Sequence, residues 1–147
     1  MFGIDQTKGF FFDSKKVMAA TSRAERRVLS RFGAYVRRSA RSSIRKRKKV
    51  SQPGRPPSSH TGLLKRFIYF AYDPSRKAVV IGPTRLDRKS GEAPPALERG
   101  GRSEVASRRR GKRVIRSVRV RARPFMGPAF EREKPKLPAM WRDSVRG

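Results

Sequence analysis

Residues 62–83, GLLKRFIYFAYDPSRKAVVIGP, place the tightest demand on the fold. Two apolar runs, 67–72 and 78–82, flank the polar linker Asp73-Pro74-Ser75-Arg76-Lys77. Pro74 fixes its own φ and removes a backbone donor, and the Asp73 carboxylate can accept bonds from nearby backbone N–H groups, so the linker reads as a turn. Aromatic and β-branched residues fill both runs, which suits strands. The segment therefore reads as a β-hairpin, with one helical turn at 62–66. A short helix from Thr61 is the rival reading, because Leu64, Phe67, Ile68 and Ala71 also fit a period of 3.6. In the hairpin, Phe67, Tyr69 and Ala71 share one face of the strand and Ile68, Phe70 and Tyr72 the other. Both faces are apolar, so cover is expected on both sides, from a helix and from a further strand or another subunit.

The helix that can give this cover lies upstream. Val17, Ala20, Ala24, Val28, Phe32, Tyr35, Val36, Ala40 and Ile44 recur at spacings of three and four, with one adjacent pair. That spacing predicts one apolar stripe on a helix over roughly residues 14–48, with Asp13 as N-cap and Phe12 as a hydrophobic staple before it. No proline interrupts the helix, and Gly33 is its one weak residue. It should end in Arg45-Lys46-Arg47-Lys48-Lys49, where five adjacent cations suit the helix dipole but repel one another.

The charge bounds the class of partner. Lys and Arg total 39 and Asp and Glu 11, a formal charge of +28 on 147 residues. Such a chain repels itself unless anions neutralise it, and nucleic acid or an acidic protein surface are the leading partners. Hydrophobic residues are 35% of the chain, so the core is small and arms that order on a partner are expected. Cysteine is absent, which removes disulfides and cysteine-based metal sites. No run approaches a membrane span, and the start, MFGIDQTKGFFF, lacks the features of a signal peptide, so a cytoplasmic site of synthesis is expected.

The chain divides, as one domain, into an N-terminal arm (1–12), the long helix (13–49), a linker (50–62), the hairpin (63–83), a basic loop or arm (84–112), a strand (113–123) and a C-terminal helix and tail (124–147). Phe2 and Ile4 in the arm are candidates for docking on a neighbouring subunit. The loop is read as structureless until assembly, on the strength of Pro94-Pro95, Gly100-Gly101 and its many arginines. In the strand, Val114, Val118, Val120 and Ala122 alternate with Ser117, Arg119 and Arg121, with Arg116 the exception on the apolar side. It is expected to pair with the 67–82 hairpin in a sheet of three or four strands. Pro124 and Pro128 suit the start of a helix in which Met126, Ala129 and Phe130 pack inward. Pro135 and Pro138 break it, and a last turn carries Trp141. The fold class is α+β: a long N-terminal helix on a small, mostly antiparallel sheet, with extended basic arms and a short C-terminal helix.

No catalytic constellation is present in the sequence. There is no GxSxG, HExxH or GxxxxGK(S/T) motif, the carboxylates are scattered, and His60 has no second histidine or cysteine beside it. The chain reads as a binding or structural protein that needs no cofactor or metal.

The order of the short motifs resembles the tail-completion, or head–tail joining, family of tailed-bacteriophage neck and minor tail proteins. The likeness rests on Thr61-Gly62-Leu63-Leu64 after the linker, Ile81-Gly82-Pro83 closing the hairpin, Leu97-Glu98-Arg99-Gly100 in the loop, and Ala122-Arg123-Pro124-Phe125-Met126-Gly127-Pro128-Ala129 opening the last helix. It spans most of residues 14–133. The resemblance implies a virion subunit that forms a ring, usually a hexamer, in the neck between the portal and the tail around the DNA channel, after assembly in the host cytoplasm. Its partners would be the head-side connector proteins, the tail terminator or tube proteins, and double-stranded DNA held without sequence readout. This chain departs from the family in its unusual basicity and its long loop. Candidate partner and channel contacts are Arg108, Arg109, Arg110, Arg119, Arg121, Arg45, Lys46, Arg47, Lys48 and Lys49. Candidate subunit contacts are Phe2, Ile4, Phe67, Tyr69 and Trp141. A ribosomal or other RNA-binding structural protein is the alternative, although the aromatics lie in apolar runs rather than as a stacking platform.

Overall fold

One helix, α1 (Ser14–Ser43), forms the centre of the computed structural model, which describes residues 14–84, 93–142 and 144. The predicted stripe is buried from Ala24 onward: Ala24, Val28, Phe32, Val36 and Ala40 are buried along it, and Ile44 continues the line. Val17 and Ala20, read as part of the same buried stripe, are instead exposed, because no described element reaches the first turns of α1. The Asp13 cap, the Phe12 staple, and Phe2 and Ile4 lie outside the described residues.

α1 ends before the basic run. The hydroxyls of Ser42 and Ser43 donate to the carbonyls of Ser39 and Ala40 three residues back, at 2.9 and 2.7 Å. Serine competes in this way for the backbone acceptors that would continue a helix. Arg45–Lys46 (β1) then runs parallel to Ser58–Ser59 (β2), and this short pairing closes the loop between them. The expected helix to Lys48 is thus corrected: residues 45–49 are exposed and non-helical.

Ser59 also begins the next element. Its Oγ accepts the Gly62 N–H at 2.9 Å, Gly62 sits at φ 80, and the Thr61 hydroxyl accepts the Leu63 N–H at 3.3 Å. The turn α2 (Leu63–Arg66) follows and buries Leu64. The hairpin β3 (Ile68–Asp73) and β4 (Ala78–Pro83) pairs Asp73 with Ala78 and Ile68 with Pro83. Asp73 Oδ1 accepts the Ser75 hydroxyl at 2.6 Å and the Ser75 N–H at 2.9 Å. The Ser75 hydroxyl, aided by the Arg76 and Ser75 N–H groups, holds the Asp73 carboxyl below the usual carboxylate range.

The hairpin lies across α1 at Gly33. A Cβ at Gly33 would sit 2.8 Å from Val79 Cγ2 and 2.9 Å from Phe70 Cδ2. The residue that weakens the helix in isolation is thus where the sheet makes its closest approach. Arg37 secures the same join by donating from Nε to the Ile68 carbonyl at 2.7 Å. The opposite face of the hairpin is open: Tyr69, Ala71 and Val80 are exposed.

Beyond the hairpin, α3 (Ala93–Arg99) carries Pro94 and Pro95 in its first turn, where their missing N–H groups cost no helical bond. A second antiparallel hairpin follows, β5 (Gly101–Arg109) and β6 (Lys112–Val120). The described sheets are all two-stranded, so β6 pairs with β5 and not with β3 or β4. The turn between them is Arg110-Gly111, with φ 50 and φ 76, the pair of positive values that a type I′ hairpin needs. Local closure through this two-residue turn prevails over the longer-range pairing.

The chain ends in α4 (Met126–Glu133), a 3-10 turn (Lys134–Lys136) and α5 (Leu137–Arg142). α4 packs on α1, with Phe130 edge-to-face on Phe32 at 5.6 Å and Ala129 buried. The core is therefore α1 held between β3–β4 and α4–α5, with Phe125, Ile68 and Leu64 among its buried members. The molecule is α+β, as the sequence predicts.

Phe32→Ala is expected to cost about 3–5 kcal/mol in chemical unfolding, and Gly33→Ala about 1–3 kcal/mol through overpacking against Val79 and Phe70. Arg27→Ala, on the exposed side of α1, should cost less than about 0.5 kcal/mol. Equal losses at Phe32 and Arg27 would contradict this placement of α1.

Candidate partner and polyanion surfaces

Two of the four short motifs, LERG and ARPFMGPA, meet in one place. Leu97 packs against the core, and its carbonyl accepts the Arg123 N–H at 2.6 Å. The neighbouring Glu98 carboxylate accepts the N–H groups of Phe125 and Met126 through Oε2, at 2.9 and 3.0 Å, and that of Gly127 through Oε1 at 2.7 Å. α4 has no side-chain cap of its own and no acid in its first turn. Glu98 therefore supplies from another element the negative charge and acceptors that a helix N-terminus lacks. Gly100 ends α3 at φ 78, and a Cβ there would lie 3.2 Å from Ala122 N and 3.3 Å from Val120 O. The LERG and ARPFMG motifs thus form one structural joint. The sequence marks Glu98 only as part of the LERG motif, and the three donors at 125–127 become visible only when the elements meet.

The joint positions the β5–β6 hairpin, most of which is exposed and whose main neighbour is α3. Register puts Arg102 opposite Arg119 and Arg108 opposite Arg113 on one face, and Arg109 opposite Lys112 on the other. Like charges directly opposed across a ladder destabilise it. Glu104, opposite Ser117, is the one acid on either strand, and the described residues give it no ion pair. Of the predicted contacts, Arg108, Arg109 and Arg110 lie at the hairpin tip, Arg119 near its base, and Arg121 just beyond β6. Within the loop predicted at 84–112, the described residues from 93 onward form α3 and β5, so this part has a preset shape. The alternation of Arg102, Glu104, Ala106 and Arg108 was available in the sequence, and so was the Arg110-Gly111 turn.

The second basic group, Arg45, Lys46, Arg47, Lys48 and Lys49, lies on the loop after α1 and does not join the hairpin arginines in a single described pocket. Arg45, Arg47 and Lys49 line a cleft with Arg55 and Arg132, two residues absent from the predicted set.

The predicted subunit contacts divide. Phe67 is half-buried and packs edge-to-face with the exposed Tyr69, ring centroids 6.4 Å apart, while the Arg37 guanidinium lies 5.7 Å from the Tyr69 ring. Trp141 stands on α5 with 37% of its surface exposed. Val17 and Met18 on the first turns of α1 are also exposed, Met18 at 69%.

Glu98→Ala is expected to cost about 2–3 kcal/mol, from loss of charge-assisted bonds at a helix N-terminus. Glu98→Gln, which retains one acceptor oxygen, should cost roughly half of that. Thermal and chemical unfolding measure both, and a neutral Glu98→Ala would contradict the joint. In comparisons with known proteins, no family model, no curated protein and no solved structure matches this chain.

Proposed function

We propose that the chain is a structural subunit of a tailed-phage neck, forming a ring that joins the head to the tail around the DNA channel. The observation that carries this reading is the uncovered apolar surface beside concentrated positive charge. Val17 and Met18 on α1, and Tyr69 and Val80 on the open face of β3–β4, are large side chains that stay exposed among the described residues. Adjacent exposed apolar residues of this size fit subunit contacts. A ring around DNA needs such surfaces toward its neighbours and cations toward phosphates, with no reading of bases. The order of the TGLL, IGP, LERG and ARPFMGPA motifs supports the same assignment.

In this reading the subunit is not an enzyme. The hairpin tip reaches an adjacent neck component, with Arg108, Arg109 and Arg110 as its contact residues. Arginine suits that role, because its planar fork binds carboxylate or phosphate bidentately.

Mass measurement of the purified protein, alone and with its neck neighbours, should give a closed oligomer, most simply a hexamer. Changing Arg108, Arg109 and Arg110 together to glutamate should abolish tailed particles and leave the protein's DNA affinity nearly intact. Loss of both would move the hairpin tip to the DNA. A monomer under all conditions that is absent from virions, or normal yields of infectious tailed particles from the triple variant, would contradict the proposal. A monomer that binds ribosomal RNA would favour an RNA-binding structural protein.

A further inference from the structure

The loop between β1 and β2 is anchored at several points. The β1–β2 pairing closes its ends, Gly54 N–H donates to the Ala122 carbonyl at 2.9 Å, and Arg123 Nε donates to the Ser51 carbonyl at 2.9 Å. With the end of α1 and with Arg132 of α4, the loop encloses a cleft of about 610 Å³. Arg45, Arg47, Lys49, Arg55 and Arg132 supply five cations to its wall, and no acidic residue lines it. Among the described residues none of the five forms an ion pair. Arg132 is held in place through a 3.3 Å bond from its Nη1 to Ser39 Oγ.

Five unpaired cations around one cleft, on the anchored loop and on α4, cost free energy through mutual repulsion. An anion carrying several acceptor oxygens removes that cost. No aromatic side chain lines the cleft to stack a base, and no carboxylate is there to hold a ribose hydroxyl. The chemistry recognised is that of phosphate alone.

We propose that this cleft is a binding site for phosphate groups, taking either a phosphodiester segment of a nucleic-acid strand or a free polyphosphate. It holds them by charge, independently of base sequence. The site needs neither a ring nor a neck, so it stands or falls apart from the proposed function.

The test is calorimetric titration of the full chain with tripolyphosphate, and then with short duplex DNA in the presence and absence of tripolyphosphate. The protein should bind tripolyphosphate saturably. Arg55→Gln with Arg132→Gln should weaken binding at least about tenfold and flatten the salt dependence by about two contacts. Arg38→Gln with Arg66→Gln removes the same charge from exposed positions outside the cleft wall, and should leave affinity within about twofold. Competition between duplex and tripolyphosphate identifies a strand as the ligand, and saturable tripolyphosphate binding without competition identifies a free polyphosphate. Absence of saturable binding overturns the proposal. So do equal losses in the two double variants.

Discussion

The buried stripe of α1 is the interaction on which the other elements depend. The β3–β4 hairpin seats where Gly33 leaves room for Val79 and Phe70, and α4 seats through the Phe32–Phe130 contact. A two-stranded sheet is marginal in water by itself, so β3–β4 persists because a helix buries one of its faces. The same small core must then orient everything else. It does so through Glu98, which ties the start of α4 to the end of α3 and so fixes where the β5–β6 hairpin leaves the body.

Outside that core the molecule breaks local rules in one consistent way. Arginine faces arginine across β5–β6, Arg110 occupies a left-handed turn position that glycine or asparagine fills at less cost, and five cations share a cleft without a carboxylate. A protein folds despite such conflicts only if they are few or offset elsewhere, and conflicts concentrated on a surface mark where a partner is expected. The two basic regions differ in form. The hairpin is an exposed ribbon suited to reach a neighbour, and the cleft is a concave site suited to hold phosphate.

Much of the body was legible in the sequence. The 68–83 hairpin, the turn at Leu63–Arg66, the stripe from Ala24 to Ile44 and the start of α4 all followed from periodicity and from turn chemistry. The errors have physical causes. The sequence carries α1 on to Lys48 because a basic C-terminus suits the helix dipole, whereas Ser42 and Ser43 turn their hydroxyls to the helix carbonyls and the helix ends at Ser43. The sequence shows a loop where β5 lies because the alternation there is carried by arginine, serine and glutamate, with little apolar content to mark a strand. β6 was assigned the wrong partner because apolar alternation says that a strand pairs, not with what; the Arg110-Gly111 turn settles that locally. The cleft was only half visible, since Arg55 and Arg132 are distant in sequence from the 45–49 run and meet it only in the fold.

The central claim is that the positive charge of the isolated chain is uncompensated and awaits an anionic partner. Thermal unfolding of the purified protein as a function of sodium chloride tests it most directly. Screening self-repulsion should raise Tm steadily between about 50 mM and 500 mM salt, where the Debye length shrinks below the spacing of neighbouring surface charges. A Tm that falls over this range would mean that the charges attract one another on balance within the chain, and would contradict the account.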